Sequence, residues 1–204
     1  GESKEIEVVI THAVLDSTSI TYTILDDSGI ITEDIVHPSL FVDGANSSLE
    51  IGDRYAGGIV FWLDGNGGGL IAAPGDCETG IFTLQHQWTD NPSLFSGTID
   101  RTGIGTGRQN TYDIIAVAQP SNSWTAAWIA ARPSAFYSDW FLPSKDELNE
   151  MYLNKYAIGG FANGYYWSST EVGNASAWTQ DFYNGIKVNY NKTSGSNVRA
   201  VRAF

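Results

Sequence analysis

The residues able to do chemistry are few. His12, His37 and His86 are the three histidines of the chain. No two stand at the His-x-His or His-Glu-x-x-His spacing that puts two metal ligands on one face. His86 lies beside Trp88, where the two could line a pocket; a lone histidine more commonly hydrogen-bonds within the fold or at its surface. Cys77 is the only cysteine, which excludes an intrachain disulfide, a thiolate metal cage and a paired-cysteine redox site. Asp139, Glu147, Glu171 and Asp181 include potential acid/base pairs for glycoside cleavage, but that reaction needs two carboxyls about 5–10 Å apart, a distance spacing alone does not supply. No Gly-x-Ser-x-Gly elbow occurs. The run Asp64-Gly65-Asn66-Gly67-Gly68-Gly69 has oxygen donors and glycines as a calcium loop does. It lacks the closing carboxylate, so a glycine turn is expected and calcium has no supporting motif. Ile104-Gly105-Thr106-Gly107-Arg108 holds a bare Gly-x-Gly without the strand, third glycine and downstream acid of a nucleotide site. The expectation is a chain without catalytic residues, metal or cofactor.

Recognition chemistry is better represented. Residues 163–197 contain 22 Asn, Ser, Thr, Tyr or Gly among 35. Tyrosine offers large rigid contact area, and the small polar residues offer adaptable hydrogen bonds, the mixture that antibody paratopes use. The competing reading is that the same residues mark β-turns. The expected ligand contacts are Tyr165, Asn174, Ser176, Thr179, Asp181, Tyr183, Asn184, Asn189, Tyr190, Asn191 and Ser196. Trp167, Ala177, Trp178, Phe182, Gly185, Lys192, Val198, Arg199 and Arg202 read as the frame between them. Arg199 and Arg202 are expected to meet internal acids or backbone carbonyls rather than a bound anion.

Elements that would hold such a face follow from local patterning. Glu5–Val8 and Ser19–Ile24 alternate polar and apolar, with a turn at Asp26–Gly29. Ile59–Leu63 and Leu70–Ala73 form a hairpin across the glycine turn. Residues 75–110 read as loop. A helix is expected over Asp113–Ala118 capped by Asn110, and a second near Trp124, Ala127, Trp128 and Ala131 capped by Ser121 or Ser123. Ser144-Lys145-Asp146-Glu147 is a capping box; it predicts a helix with Leu148, Met151, Tyr152, Lys155 and Tyr156 on one face, stopped at Gly159-Gly160. Strands are expected at Tyr165–Thr170, Ala177–Phe182, Ile186–Tyr190 and Val198–Phe204.

The chain has 204 residues and a net charge of −12. Residues 1–50 hold ten acids and one base, so the charge shift near 50 divides an acidic β-rich segment, 1–50, from a larger domain, 51–204. A chain this acidic repels phosphate backbones, which argues against a nucleic-acid partner. No apolar run reaches the roughly 18 residues of a membrane span, and Gly1-Glu2-Ser3-Lys4 opens no signal segment. Charged residues are 17 % and aromatics 13 % of the chain, so the surface must rely on Asn, Ser, Thr, Gly and Tyr.

Tyr55-Ala56-Gly57-Gly58-Ile59-Val60-Phe61-Trp62-Leu63, Ile104–Gly107, Asp139-Trp140-Phe141-Leu142-Pro143-Ser144-Lys145-Asp146-Glu147-Leu148, Tyr166–Glu171 and Val198–Arg202 occur in an order that resembles the C-terminal domain of the Legionella collagen-like adhesin. It is similar too to the Fibrobacter succinogenes major paralogous domain. The resemblance covers about residues 52–204. It implies an α+β, C-type-lectin-like domain, a twisted antiparallel sheet with two or three helices, preceded by the small β-rich segment. More distantly it resembles the variable proteins of diversity-generating retroelements, whose last stretch is a frame carrying changeable contacts. What it implies is a surface-displayed adhesin or phage receptor-binding module, extracellular or on a virion, binding a cell-surface protein or glycan without membrane insertion, and a homotrimer. Departures are specific. Gln119-Pro120-Ser121 and Asn91-Pro92-Ser93 lack the carboxylate of a calcium-bridged sugar site. Cys77 is alone where formylglycine-generating relatives use cysteine pairs. The acidic charge does not suit the sulfated glycans expected of the adhesin.

Overall fold

The computed structural model describes residues 49–77, 85–118, 125–132 and 137–204, and three short strands before them. The chain divides into two units, Gly1–Asn46 and Ser47–Phe204. In the first, β1 (Val8–Val9), β2 (Tyr22–Asp26) and β3 (Gly29–Glu33) form an antiparallel sheet in that order. Asp27-Ser28 lies between the paired ends of β2 and β3, where Asp26 meets Gly29.

The second unit is α+β. Its first sheet has the order β12-β6-β5-β4, built from β4 (Arg54–Tyr55), β5 (Gly58–Leu63), β6 (Gly69–Ala72) and the C-terminal β12 (Val201–Ala203). The glycine turn between β5 and β6 is closed by the Asp64 carboxylate, which accepts from Asn66 N at 2.6 Å and Gly68 N at 2.9 Å. It is a side-chain-stapled turn. Beyond β12, Phe204 N donates to Gly69 O and its ring meets Tyr55 edge-on, so the last residue is docked.

The segment 85–110 is more structured than a loop. It contains β7 (His86–Gln87), a short 3-10 turn at Pro92–Leu94 and the start of α1 (Gly107–Ala118). Asn110, expected as a cap, is instead buried inside α1. Its amide donates to Arg101 O and Ser169 Oγ, so it ties the helix to a strand. α2 is Ala126–Ala130, with Thr125 at its N-cap; Ser121, Ser123 and Trp124 lie outside the described residues. α3 (Lys145–Leu153) begins with the full capping box, Ser144 Oγ to Glu147 N and Glu147 to Ser144 N. A break at Asn154 precedes α4 (Lys155–Ile158), which ends at Gly159 with φ +72°. The expected helical face is half right. Leu148 and Met151 are buried, but Tyr156 is 91 % exposed, because the break at Asn154 turns α4 off the line of α3.

β8 (Tyr165–Glu171), β9 (Ser176–Asp181) and β10 (Lys187–Asn191) make the second sheet, order β10-β9-β8. β11 (Gly195–Ser196) pairs with β7. Val198–Ala200, expected as strand, lies outside β12.

The central strands β5, β6 and β8 are buried on both faces over most of their length. Val60, Ile71 and Trp167 face one cluster with Trp88, Phe95, Ile114 and α2. Ile59, Phe61 and Tyr166 face the other, with Leu148, Met151 and Phe182. Period-two alternation in β5 and β8 therefore separates two cores rather than core from water.

One buried charge joins three loops to this frame. Lys192 and Glu171 pair with both side chains fully buried. Lys192 Nζ also donates to Gly173 O at 2.9 Å and Asn174 O at 3.0 Å, and lies over the rings of Trp88 and Phe95. Glu171 accepts from Ile99 N at 2.9 Å. Burial pulls the Lys192 pKa down, and the Glu171 carboxylate opposes it. Removing one member of such a pair strands the other. Lys192→Met should cost about 3–5 kcal/mol in denaturant unfolding. Adding Glu171→Leu should return part of that loss, since the stranded charge goes while the orphaned Gly173, Asn174 and Ile99 backbone groups remain.

Candidate functional site

Among the described residues, the buried carboxylates and arginines are spread through the fold and are engaged by internal partners. Glu147 is buried; besides the capping box its carboxylate accepts from Gly105 N at 2.7 Å, at the approach to α1. It thus joins the starts of α1 and α3. A Cβ at Gly107 would strike this carboxylate and Ser144 N, which explains the second glycine of the Gly-x-Gly. Burial raises the Glu147 pKa, opposed by the Ser144, Gly105 and Gly107 N–H groups. Asp139 meets Arg202, whose guanidinium lies 3.9 Å from the Tyr137 ring centroid and donates to Ala56 O. Arg199 Nε donates to Asp76 at 2.7 Å, and its other nitrogens reach Ala73 O and Gly160 O. Tyr166 donates to the other Asp76 oxygen at 2.6 Å; burial, then Asp76, raises the phenol's pKa. Both arginines therefore meet internal acids and carbonyls, as the sequence implied. His86 is buried with Nε2 3.0 Å from Cys77 O, while Trp167 Nε1 donates to His86 O. His12 and His37 lie outside the described residues. Burial, with Asp76 adding, raises the Cys77 thiol to about 11, against the Ala200 backbone bond and the nearby arginines.

The expected contact residues split into two groups. Exposed on β9, β10 and their turns are Asn174, Tyr183, Asn184, Asn189 and Asn191; Ser176 is half-buried. Tyr183 is 72 % exposed. The turn presenting it is held by its own polar residues: Asp181 accepts from Tyr183 N at 2.8 Å and Asn184 from Ile186 N at 2.9 Å. Asn191 accepts from Thr193 N in the same way. Asp181, Asn184 and Asn191 are thus turn formers, and the turn reading of the composition applies to them.

Two residues are corrected. Thr179 and Ser196 are each 1 % exposed. Thr179 Oγ1 donates to Val188 O, so it serves the ladder between β9 and β10. Ser196 is enclosed where β11 pairs with β7. Neither can touch a ligand on the surface. Tyr165 and Tyr190 are half-buried and stack on each other at 5.5 Å and 18°, so each ring already covers a face of the other.

Four surface residues escaped the sequence reading. Trp178, assigned to the frame, is half-buried opposite Asn189, with Lys145 Nζ 3.7 Å from its ring centroid. Tyr156, Leu153 and Ile186 are 91 %, 61 % and 57 % exposed. Contacts through Tyr152 and Lys155 link the end of α3 and Tyr156 to the tyrosine turn. Gly185, at φ +83°, leaves no room for a Cβ beside the Tyr152 ring; Lys155 lies over Tyr152 and Tyr156 and donates to Phe182 O at 2.6 Å. α3 runs alongside β9, with Lys145 at Trp178, Asn149 at Gln180 and Tyr152 at Gly185. A stripe of aromatic and amide groups thus extends from Tyr156 and Tyr183 past Trp178 to Asn191. An unbroken run of spacing could not reveal it, because α3, α4 and β10 meet only in three dimensions.

Among the described residues no group of His, Cys, Asp and Glu could hold a metal, and no helix is long and apolar enough to cross a membrane. No protein-family model matches the chain, and no curated protein does.

Apart from the Asn184 bond to Ile186 N, the stripe side chains face solvent and should be largely separable from stability. Replacing Tyr156, Tyr183, Asn184 and Asn189 together by Ala should cost no more than about 1–2 kcal/mol, most of it that turn bond, and Gly185→Ala alone should cost about 1–3 kcal/mol. For Cys77, the native thiol at pH 8 should react with a disulfide reagent on the order of 100-fold more slowly than in the unfolded chain, and about tenfold faster per pH unit up to pH 10.

Proposed function

We propose that the chain is a non-catalytic recognition module, a C-type-lectin-like domain of an adhesin or receptor-binding protein, displayed outside the cell or on a virion. Its ligand would be a protein or glycan on another surface. The observation that carries this reading is the solvent-exposed stripe: Tyr156, Tyr183, Leu153 and Ile186 beside Asn184, Asn189 and Asn191. Burying such side chains against a partner gains roughly 25 cal/mol per Å² of apolar area, and exposed aromatics in company are a common mark of interfaces.

The rest of the domain supports it. Glu147, Glu171, Asp76 and Asp139, with Lys192, Arg199 and Arg202, are engaged by each other or by backbone, which suits a rigid scaffold better than a reaction centre. A scaffold with its contacts on turns and an edge strand needs little reordering on binding. Single sites of this kind gain strength by repetition, and a homotrimer, as the resemblance implies, would supply it. A ligand-free fibre tip is the rival, and exposed Tyr156 and Tyr183 with Leu153 and Ile186 speak against it.

Binding of the labelled protein to a panel of intact cells and immobilised glycans, with calcium and with chelator, tests the reading. Saturable binding is expected, at least about tenfold weaker in the Tyr156/Tyr183/Asn184/Asn189 alanine variant and unchanged by chelator. Equal binding by the folded variant would move the site away from the stripe, and turnover of a bound glycan would replace recognition by catalysis.

A further inference from the structure

Asparagine followed by glycine occurs three times, at Asn66-Gly67, Asn163-Gly164 and Asn184-Gly185. Such a pair can react within itself. The glycine N attacks the asparagine Cγ, and the missing Cβ leaves the approach unhindered and the backbone free to turn. Two conditions decide whether it does so in a folded chain. The glycine N–H must be free to lose its proton, and the side-chain amide must be free to swing towards it.

The three sites differ in both conditions. Asn184 is held twice: Gly185 N donates to Asp181 O at 2.7 Å, and Asn184 Oδ1 accepts from Ile186 N at 2.9 Å. Gly185 is also wedged, since a Cβ there would come 2.6 Å from the Tyr152 ring. Asn163 is exposed, but Gly164 is anchored through its carbonyl, which accepts from Phe182 N at 2.9 Å. Asn66 and Gly67 are both exposed in the β5–β6 turn. Among the described residues neither Gly67 N nor Gly67 O has a hydrogen-bond partner. Nothing lies within 4 Å of a Cβ built on Gly65 or Gly67. Asp64 Oδ1 fixes Asn66 N, on the far side of the residue from the reacting peptide, and only a 3.3 Å bond from Nδ2 to Asp64 O restrains the side-chain amide.

We propose that Asn66 is a site of spontaneous deamidation in the folded protein, and that the fold shields Asn184 from the same reaction. Gly67 N, its proton taken by hydroxide, forms a bond to Asn66 Cγ. The Cγ–Nδ2 bond breaks, and Nδ2 takes a proton from water and leaves as ammonia. Water then opens the succinimide at either ring carbonyl, breaking one ring C–N bond and leaving aspartate or isoaspartate. The sum is amide plus water to carboxylic acid plus ammonia, with no change of oxidation state. The product sets a second carboxylate beside Asp64, whose own oxygen staples the turn, and isoaspartate adds a methylene to the main chain there. At Asn184 the same step would put a carboxylate next to exposed Tyr183. The two bonds that hold Asn184 and Gly185 must break before attack, which slows it at least about tenfold. This inference goes beyond the recognition reading and does not depend on it.

The test incubates the full chain in mildly alkaline buffer at physiological temperature, folded and in guanidinium. Samples taken over time are digested, and each site is read by peptide mass spectrometry as a gain of about 1 Da. In the folded chain Asn66 should convert at least about tenfold faster than Asn184, with Asn163 between them and all rates rising with pH. In guanidinium the three rates should become similar, because the bonds that separate them are gone. Asn66→Gln, which lengthens the side chain and disfavours ring closure, should remove the first conversion and leave the far-UV CD spectrum unchanged. Equal rates at Asn66 and Asn184 in the folded chain would overturn the proposal. So would the folded ranking persisting in guanidinium, which would assign it to the neighbouring sequence rather than to the fold.

Discussion

The ammonium of Lys192 has no water to turn to. Its three donors are taken by Glu171 and by the carbonyls of Gly173 and Asn174, and two aromatic rings close around it. Its own backbone continues the work: Lys192 N reaches Ala175, and Lys192 O receives Trp88 N and Thr89 N. One residue thus fastens the β8–β9 turn, the end of β10 and the segment before α1. The constraint is electrostatic as well as geometric. A buried cation tolerates no alternative arrangement that leaves a donor empty, so the β9–β10 hairpin has one register.

Glu147 and Arg199 act by the same logic elsewhere. Glu147 gathers N–H groups from two helix starts. Arg199 holds the end of β6, the turn after α4 and, through Asp76, the phenol of Tyr166. Each uses one polar side chain to satisfy backbone groups that no ladder or helix satisfies. With three such nodes inside, Tyr156, Tyr183 and Asn189 are presented to solvent on a stiff base.

The division of labour among the polar residues is sharper than composition suggests. Asp181, Asn184 and Asn191 close turns with one oxygen each. The asparagines keep their amide N–H groups on the same exposed side chains. A turn former and a ligand contact are therefore compatible roles for one asparagine. Thr179 and Ser196 share the residue types but not the position, and their burial removes them from any surface chemistry.

Local chemistry made much of the frame legible. Ser144 and Glu147 declare their helix because a capping box is complete within four residues. The β5–β6 hairpin and the strands after 165 follow from alternation and turn residues, and Arg199 and Arg202 from the rule that arginine in an apolar strand seeks an acid. The start of α1 was hidden because its first turn is capped by Glu147, forty residues away in sequence. Which polar residues face solvent was hidden for a related reason. β8 is buried on both sides and α3 covers part of β9, so alternation there does not separate inside from outside. By itself the sequence determined the elements, the acidic balance and the scarcity of reactive groups, all of which depend on neighbours along the chain. Only the tertiary structure decided that Tyr156 lies by the tyrosine turn, that Trp178 is half-buried under Lys145, and that Thr179 and Ser196 are buried. Those outcomes depend on how α3 and α4 lie across a sheet, and that packing is set by contacts between residues far apart in sequence.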